Sequence, residues 1–274
     1  MLMYSPLLCT CVACCVRSVI ESKLSMAAKT GVLNISLQGL KLKSTVWKKL
    51  SQDCYKEKLK SLDISGNKLV ELPAEVVHLP KLKTLIISKC HLTYLPDITN
   101  MEVLSSLNAC DNALQNDGTC HLPSSLVKLD LSANRFIAFP TELFNLTSLT
   151  ELNLSNNAIA LLDCIGQLVS LVWLVLDDNQ ITFIPHEIGN LTKLKHVSLK
   201  HNCIAKTVDD QQSISSELFT HTSAEEINLE GNKLKREEIM SFEGVEDFIA
   251  RRKKNKDKLL QGGGLLDLSF FGLE

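Results

Sequence analysis

The sequence predicts an α/β solenoid with a curved, parallel sheet on its concave side, irregular or helical segments on its convex side and a capping helix at its C-terminal end. The first observation is the pattern Leu-x-x-Leu-x-Leu-x-x-Asn-x-Leu, which occurs with variations nine times between Val32 and Leu234. The second is its period of 22 or 23 residues in most steps. Such a period is typical of stacked repeats that contact only their neighbours.

A short strand is predicted at the start of every copy. Positions one, four and six of the pattern are apolar, and the alternation at positions four and six buries one face of a strand. Only the first and last steps depart from the period, at 27 and 30 residues. The first positions are Val32, Leu59, Leu82, Leu104, Leu126, Leu149, Leu171, Leu194 and Ala224.

An asparagine occupies the ninth position of seven copies, where the chain leaves its strand. An amide both donates and accepts hydrogen bonds, so stacked asparagines satisfy backbone groups that would otherwise be buried unpaired. Leu40 and Cys90 replace the amide in two copies, and we expect slacker packing near Cys90 because a thiol is a weak donor. The asparagines are Asn67, Asn112, Asn134, Asn157, Asn179, Asn202 and Asn232.

Proline begins the second half of several copies. It cannot continue a strand ladder and it fixes its own φ, which predicts the start of a return segment on the convex side. The residues are Pro73, Pro96, Pro140 and Pro185. Asp163 takes this place in the copy from Leu149, and the copy from Leu104 carries the turn-rich QNDGTC instead.

The chain divides into five predicted parts. Residues 26–58 form an N-terminal capping repeat, residues 59–234 the leucine-rich repeats, and residues 235–258 a C-terminal capping helix with apolar residues at helical spacing. An extra helical turn is expected around Ile214, Leu218 and Phe219. Residues 1–25 are a cysteine-rich apolar leader, predicted to be disordered or membrane-associated, and residues 259–274 are a Gly-rich linker and an apolar tail.

Several interpretations are open for the two ends. The leader could be a disordered extension, a targeting segment, or a membrane contact through acylation of Cys9, Cys11, Cys14 or Cys15. A zinc site is disfavoured because the cysteines lack a second ligand pair. The tail could fold back on the solenoid or be a docking motif, and the basic run from Arg251 to Lys258 is interpreted as a solvated helix end.

Composition narrows the compartment and the partners. A net charge of −2 excludes a general polyanion binder, so we expect no nucleic-acid partner. The ten cysteines are scattered after the leader, and none follows Cys203, which favours reduced thiols and a cytoplasmic protein, with membrane association as the alternative. Asn145 and Asn190 match glycosylation acceptors, but the repeat pattern itself produces such matches.

The concave face is the predicted partner-binding surface. Trp173 should point outward beside Val175, within reach of residues on both neighbouring strands. Exposed tryptophan is enriched among interface hot spots. Asp177 and Asp178, with Lys200 one repeat later, would supply a polar rim. The full predicted site is Glu151, Asn153, Trp173, Val175, Asp177, Asp178, His196, Ser198 and Lys200.

No catalytic set, cofactor motif or metal spacing is found in the sequence. His196 near Asp177 or Glu151 could imitate an acid–base pair, but a solvated contact is the preferred interpretation. We therefore expect a monomer without enzymatic activity.

Residues 29–258 resemble the intracellular leucine-rich repeat family, especially its short Ras-suppressor-like group, whose members end in a helix similar to FEGVEDFIARRKK. The resemblance implies a leucine-rich repeat solenoid that binds proteins, often in signalling assemblies. The function expected is therefore a scaffold or adaptor in intracellular signalling. The alternative is an extracellular or membrane-anchored receptor-like binding domain, and partner choice lies in the variable concave residues.

Overall fold

A computed structural model describes residues 12–41, 44–117, 121–208 and 211–260 of the 274-residue chain. Nine strands form one parallel sheet in chain order, as the period predicts. The first eight are β1 Val32–Asn34, β2 Ser61–Asp63, β3 Thr84–Ile86, β4 Ser106–Asn108, β5 Lys128–Asp130, β6 Glu151–Asn153, β7 Trp173–Val175 and β8 His196–Ser198, and the ninth is β11 Glu226–Asn228. Between β8 and β11, β9 Thr207–Val208 and β10 Gln211–Gln212 form a separate antiparallel hairpin.

The middle residue of each parallel strand is buried and its two neighbours face outward. Leu152 and Leu174, for example, are 2% and 1% exposed, and they pair with each other in register. The hydrophobic core runs along the whole array behind the sheet. The outward residues of adjacent strands therefore form continuous columns across the concave face.

Short helices on the convex side begin after three of the four predicted prolines, whereas the described residues that follow Pro96 in its repeat form no helix. Pro73 precedes α4 Ala74–Val77, Pro140 precedes the 3-10 helix η1 Thr141–Asn145, and Pro185 precedes η3 His186–Asn190. The copy without this proline begins η2 Ile165–Gln167 after Cys164, whose φ of 57° makes the turn in the left-handed region.

The asparagine ladder forms as predicted. Each ladder amide donates to a backbone carbonyl of the preceding repeat, and its oxygen accepts a backbone N–H there. In Asn157, Nδ2 donates to Leu131 O at 3.2 Å and Oδ1 accepts from Phe136 N at 3.0 Å. The ladder thus joins neighbouring repeats on the buried side of each turn.

Cys90 keeps part of the asparagine role. Its Sγ donates to Ile64 O at 3.3 Å in the preceding repeat, and its own carbonyl accepts the N–H groups of Leu69 and Val70, both at 3.2 Å. A backbone oxygen therefore replaces the missing amide oxygen. Cys90 is fully buried, and burial raises the pKa of its thiol.

The N-terminal cap begins earlier than the sequence predicted. Helix α1, Val12–Thr30, crosses the expected boundary at residue 26. Ile20, Leu24 and Ala27 are buried, and α1 packs on β1 and on α3, Asp53–Lys56. This helix covers the open edge of the sheet, as terminal repeats require. Cys9 and Cys11 lie outside the described residues, and the structure describes only the backbone of Cys14 and Cys15.

Trp47 completes this end of the core. It lies on α2, Val46–Leu50, where it is buried and donates through Nε1 to Lys41 O at 2.9 Å.

The C-terminal cap is two helices rather than the single helix predicted. Arg236–Met240 forms α6 and Val245–Leu260 forms α7, separated near Gly244, whose φ is 85°. A Cβ at Gly244 would lie 2.7 Å from Thr220 Cγ2 on α5, Glu217–Thr220, the predicted extra turn. Arg251 Nη2 on α7 donates to Phe219 O on α5 at 2.9 Å, and this hydrogen bond joins the two helices. The end of α7 passes the expected boundary at residue 258, and the predicted tail from residue 261 lies outside the described residues.

None of the helices in the described part of the chain is long and apolar enough to cross a membrane.

Candidate functional site

An aromatic pair lies on the concave face, on the seventh and eighth of the nine strands of the sheet. The side chain of Trp173 on β7 points outward as predicted and is 45% exposed. The His196 ring on β8 stacks on it, with ring centroids 3.6 Å apart and planes 12° from parallel. His196 Nδ1 lies 2.9 Å from Glu226 Oε2 on β11. The three residues share one column, because Trp173 pairs with His196 and His196 pairs with Glu226 in register.

The partner of His196 differs from the sequence expectation. The sequence placed it near Asp177 or Glu151, whereas the structure pairs it with Glu226. The 30-residue step before the last repeat separates the two residues in the chain, but parallel pairing brings them side by side.

A concavity of about 290 Å³ lies on the other side of Trp173. Its outward-facing residues come from four strands, β4 to β7, and the indole forms one of its walls. They are Ser106, Asn108, Lys128, Asp130, Glu151, Asn153, Trp173 and Val175.

The structure divides the six predicted strand residues of the site into two groups. Glu151, Asn153, Trp173 and Val175 line the concavity together. His196 and Ser198 lie on β8, behind the indole and in register with Trp173 and Val175. The four concavity residues from β4 and β5 were missing from the predicted set, although the same outward columns contain them.

The predicted polar rim is largely occupied by contacts within the protein. Asp177 Oδ1 accepts the backbone N–H of Lys200 at 2.8 Å, and Asp178 Oδ1 lies 3.1 Å from His201 Nδ1. Lys200 forms an ion pair with Glu230 at 3.0 Å. That hydrogen bond and charge raise the pKa of Lys200 and lower the pKa of Glu230.

Two more lysines on this face have carboxylate partners on the next strand. Lys128 Nζ lies 2.6 Å from Glu151 Oε1, and Lys195 Nζ lies 3.1 Å from Glu225 Oε1. Cross-strand pairs of opposite charge stabilise the outer surface of a sheet and hold its side chains in fixed positions.

Asp130 lies close enough to Cys110 for its charge to act on the thiol. Partial burial and, secondly, the charge of Asp130 raise the pKa of the Cys110 thiol. The thiolate is the reactive form, so a raised pKa shifts alkylation to higher pH.

We expect iodoacetamide to modify native Cys110 more slowly than a model thiol at pH 8, and Asp130→Asn to accelerate that reaction. Peptide mass spectrometry over pH 7–10 measures the rate of each cysteine. Asp163→Asn, on the convex side, is the matched control and should leave the Cys110 rate unchanged. Equal rates in wild type and Asp130→Asn would contradict the electrostatic link.

Within the described part of the chain, no group of three or more His, Cys, Asp or Glu side chains is placed to hold a metal ion. The chemistry of the concave face is that of hydrogen bonding, ring stacking and charge.

Comparison with known proteins agrees with this architecture. A leucine-rich repeat family model matches residues 124–181, and a second matches residues 58–79. The fold is a leucine-rich repeat solenoid. The matched segments contain β2, β5, β6 and β7, so the repeat motif and the observed strands coincide.

Solved structures show the same leucine-rich repeat fold. The chain is similar to an internalin (inlF) from Listeria monocytogenes str. 4b F2365, with a TM-score of 0.58 and 19% identity over 77% of this chain and 57% of that one. It is also similar to a TDR receptor, with a TM-score of 0.56 and 23% identity over 77% of this chain and 37% of that one. This chain thus spans less than two thirds of both. A search among curated proteins gives no match.

Proposed function

We propose that this leucine-rich repeat protein is a non-catalytic interaction module that binds a protein partner on its concave face. The observation that carries the proposal is the Trp173–His196 stack, an exposed aromatic surface on the adjacent strands β7 and β8 of a polar sheet face. Exposed tryptophan supplies large contact area at low entropic cost, and interface hot spots are enriched in it.

The neighbouring side chains give this surface a defined shape. His196 is held from behind by Glu226, and Glu151 is held by Lys128. The Trp173 indole therefore has a fixed wall on one side and an open concavity on the other. A partner gains binding energy on such a surface without having to order it first.

Trp173→Ala is expected to weaken binding of the partner about 30-fold, the loss that corresponds to a hot spot of about 2 kcal/mol. The partner is first identified by proximity labelling with the full chain in its native cell. The affinity of the purified pair is then measured by calorimetry for the wild type and the variant.

Ile137→Ala is the matched control. Ile137 is 69% exposed, lies outside the concave sheet and does not line the concavity. It should leave the affinity unchanged. Equal affinity of wild type and Trp173→Ala for every validated partner would remove the concave face from consideration as the binding surface.

We also propose that the protein acts in intracellular signalling, as in the Ras-suppressor-like group that the repeats resemble. Free thiols support this compartment. Within the described residues they are Cys54, Cys90, Cys110, Cys164 and Cys203. Thiol counting and deglycosylation of native protein test it. Oxidised cysteines, or glycans at Asn145 or Asn190, would support the extracellular receptor-like alternative.

Peripheral membrane contact through Cys9, Cys11, Cys14 and Cys15 remains part of the proposal. Replacing all four by serine should move an acylated protein from the membrane fraction to the soluble fraction. An unchanged distribution would exclude acylation of these cysteines as the anchor.

A further inference from the structure

The repeats on both sides of Trp173 form an acidic face. It is defined here by residues 127–133, 150–156, 172–178, 195–201 and 225–231, which run from the residue before each strand to the residue before the ladder asparagine. This face carries a net charge of −4, whereas the whole chain carries −2. Its three lysines are each paired with a carboxylate. Four further carboxylates have no lysine partner, namely Asp130, Asp177, Asp178 and Glu226.

Asp130 is the carboxylate of this set that lines the concavity. Its Oδ1 accepts from Ser132 N at 3.0 Å and from Ser132 Oγ at 2.6 Å, which fixes the side chain. Its second oxygen forms no hydrogen bond or ion pair within the described part of the chain. Asp177 and Asp178 each have one oxygen engaged as well, by Lys200 N and His201 Nδ1, but neither lines the concavity.

Trp173 presents an aromatic wall to the same space. His196 comes from β8, whereas the residues that line the concavity come from β4 to β7. The indole face toward the concavity is therefore not covered by His196. A cation over a tryptophan face is attracted by the ring quadrupole.

Two asparagines add hydrogen-bond donors. Asn108 Oδ1 accepts from Cys110 N at 3.1 Å, and Asn153 Oδ1 accepts from Ser155 N at 3.0 Å. Their Nδ2 groups form no hydrogen bond within the described part of the chain, so they can donate to main-chain carbonyls of a partner segment.

We infer that the concavity binds an arginine side chain on an extended, basic segment of the protein partner. The guanidinium lies between the Trp173 indole and the free oxygen of Asp130, and Asn108 and Asn153 donate to the backbone of the segment. Arginine fits both requirements because its planar cation stacks on aromatic faces while its N–H groups reach a carboxylate, whereas lysine carries a compact point charge. The inference deepens the proposed function and rests on it.

The test uses the full chain and the peptide acetyl-Gly-Arg-Gly-Arg-Gly-amide, with analogues that carry citrulline or lysine in place of arginine. Citrulline keeps the planar shape and removes the charge. Binding is followed by NMR of the indole N–H groups, where Trp173 reports the site and buried Trp47 serves as the internal reference.

The arginine peptide should shift the Trp173 signal saturably, with an apparent affinity at least 10-fold higher than that of the citrulline peptide. Asp130→Asn should weaken binding at least 5-fold, and the control Asp163→Asn should not. Asparagine retains Oδ1 as the acceptor for Ser132, so Asp130→Asn is expected to fold, and an unchanged Trp47 signal verifies this. Trp173→Phe is a second variant that keeps a ring and should bind the arginine peptide more weakly than the wild type; because it lacks the reporting indole N–H, its affinity is measured by calorimetry beside that of the wild type.

Equal binding of the arginine and citrulline peptides would overturn the inference, as would equal binding of the arginine and lysine peptides. Wild-type affinity of Asp130→Asn would do the same. Failure of the proposed function is distinguishable. If a validated partner loses affinity with Trp173→Ala but not with Asp130→Asn, the concave interface stands and the arginine site falls. If peptides bind as expected but no partner depends on Trp173, the arginine site stands and the proposed interface falls.

Discussion

Leu24→Ala is expected to lower the free energy of unfolding by about 2–5 kcal/mol, the range for removing a large aliphatic side chain from a packed core. Leu24 is 1% exposed on α1 and belongs to the continuous hydrophobic core. The reason for the large effect is its position at the end of the array. A solenoid has no further repeat to cover β1, so α1 must cover it.

Urea unfolding followed by circular dichroism measures the effect, and Ser25→Ala is the matched control because Ser25 is the exposed neighbour of Leu24. The midpoint should fall for Leu24→Ala and stay constant for the control. An unchanged midpoint in both variants would mean that residues 12–25 do not contribute to the stability of the fold. Deleting residues 1–25 should destabilise the protein further, because it removes Ile20 together with Leu24.

The sequence does contain the signal for α1. Ile20, Leu24 and Ala27 are spaced at i, i+4 and i+7, the pattern of one buried helix face. We instead placed the boundary between leader and capping repeat at Met26, because the residues before it are unusually rich in cysteine and apolar side chains. Composition marked a segment as unusual, whereas only the spacing showed that part of it packs on the core.

The sheet was predictable because every strand repeats the same local rule. Alternating apolar residues fix which face of a strand is buried, and the constant period fixes the parallel register between neighbours. The asparagine ladder followed from the same register. These features need no information about contacts between distant parts of the chain. The first copy lacks this period, and its predicted register was wrong: Val32 pairs with Ser61 rather than with Leu59.

The two departures near the C-terminus depend on such contacts. The predicted capping helix divides near Gly244, where the backbone passes too close to Thr220 on α5 for a side chain to fit. The hairpin of β9 and β10 occupies the irregular step before the last repeat. Helical spacing of apolar residues continues across the break and therefore concealed it.

The candidate site was predictable to a similar extent. The alternation identified Trp173 as an outward residue, and its exposure is confirmed. Which carboxylate would hold His196 depended on the long step to β11, and the position of the concavity depended on the curvature of the sheet. Neither is encoded in the residues next to Trp173, so Asp130 and Lys128, although predicted to face outward, were assigned to the site only from the structure.

Asn179→Ala is expected to lower the free energy of unfolding by about 1–3 kcal/mol, the usual cost of leaving a buried polar group without its partner. Asn179 is 7% exposed, and its Oδ1 accepts from Ile159 N at 3.0 Å. The loss falls mainly on this N–H. Two carbonyls that lose the Asn179 amide each retain another donor: Leu154 O still accepts from Asn157 Nδ2, and Leu176 O still accepts from Asn202 Nδ2.

Urea unfolding measures this effect: the midpoint concentration of urea should fall. The slope of unfolding free energy against urea concentration should stay constant, because it reports the surface exposed on unfolding. Gln180→Ala is the control, because Gln180 is exposed and adjacent in the chain. An unchanged midpoint for Asn179→Ala would mean that water or a backbone shift satisfies Ile159 N–H. The Cys90 repeat shows what such a shift looks like, since there a backbone carbonyl accepts the equivalent N–H of Leu69. A ladder position therefore tolerates substitution only where the chain can move its own carbonyl into the place of the amide oxygen.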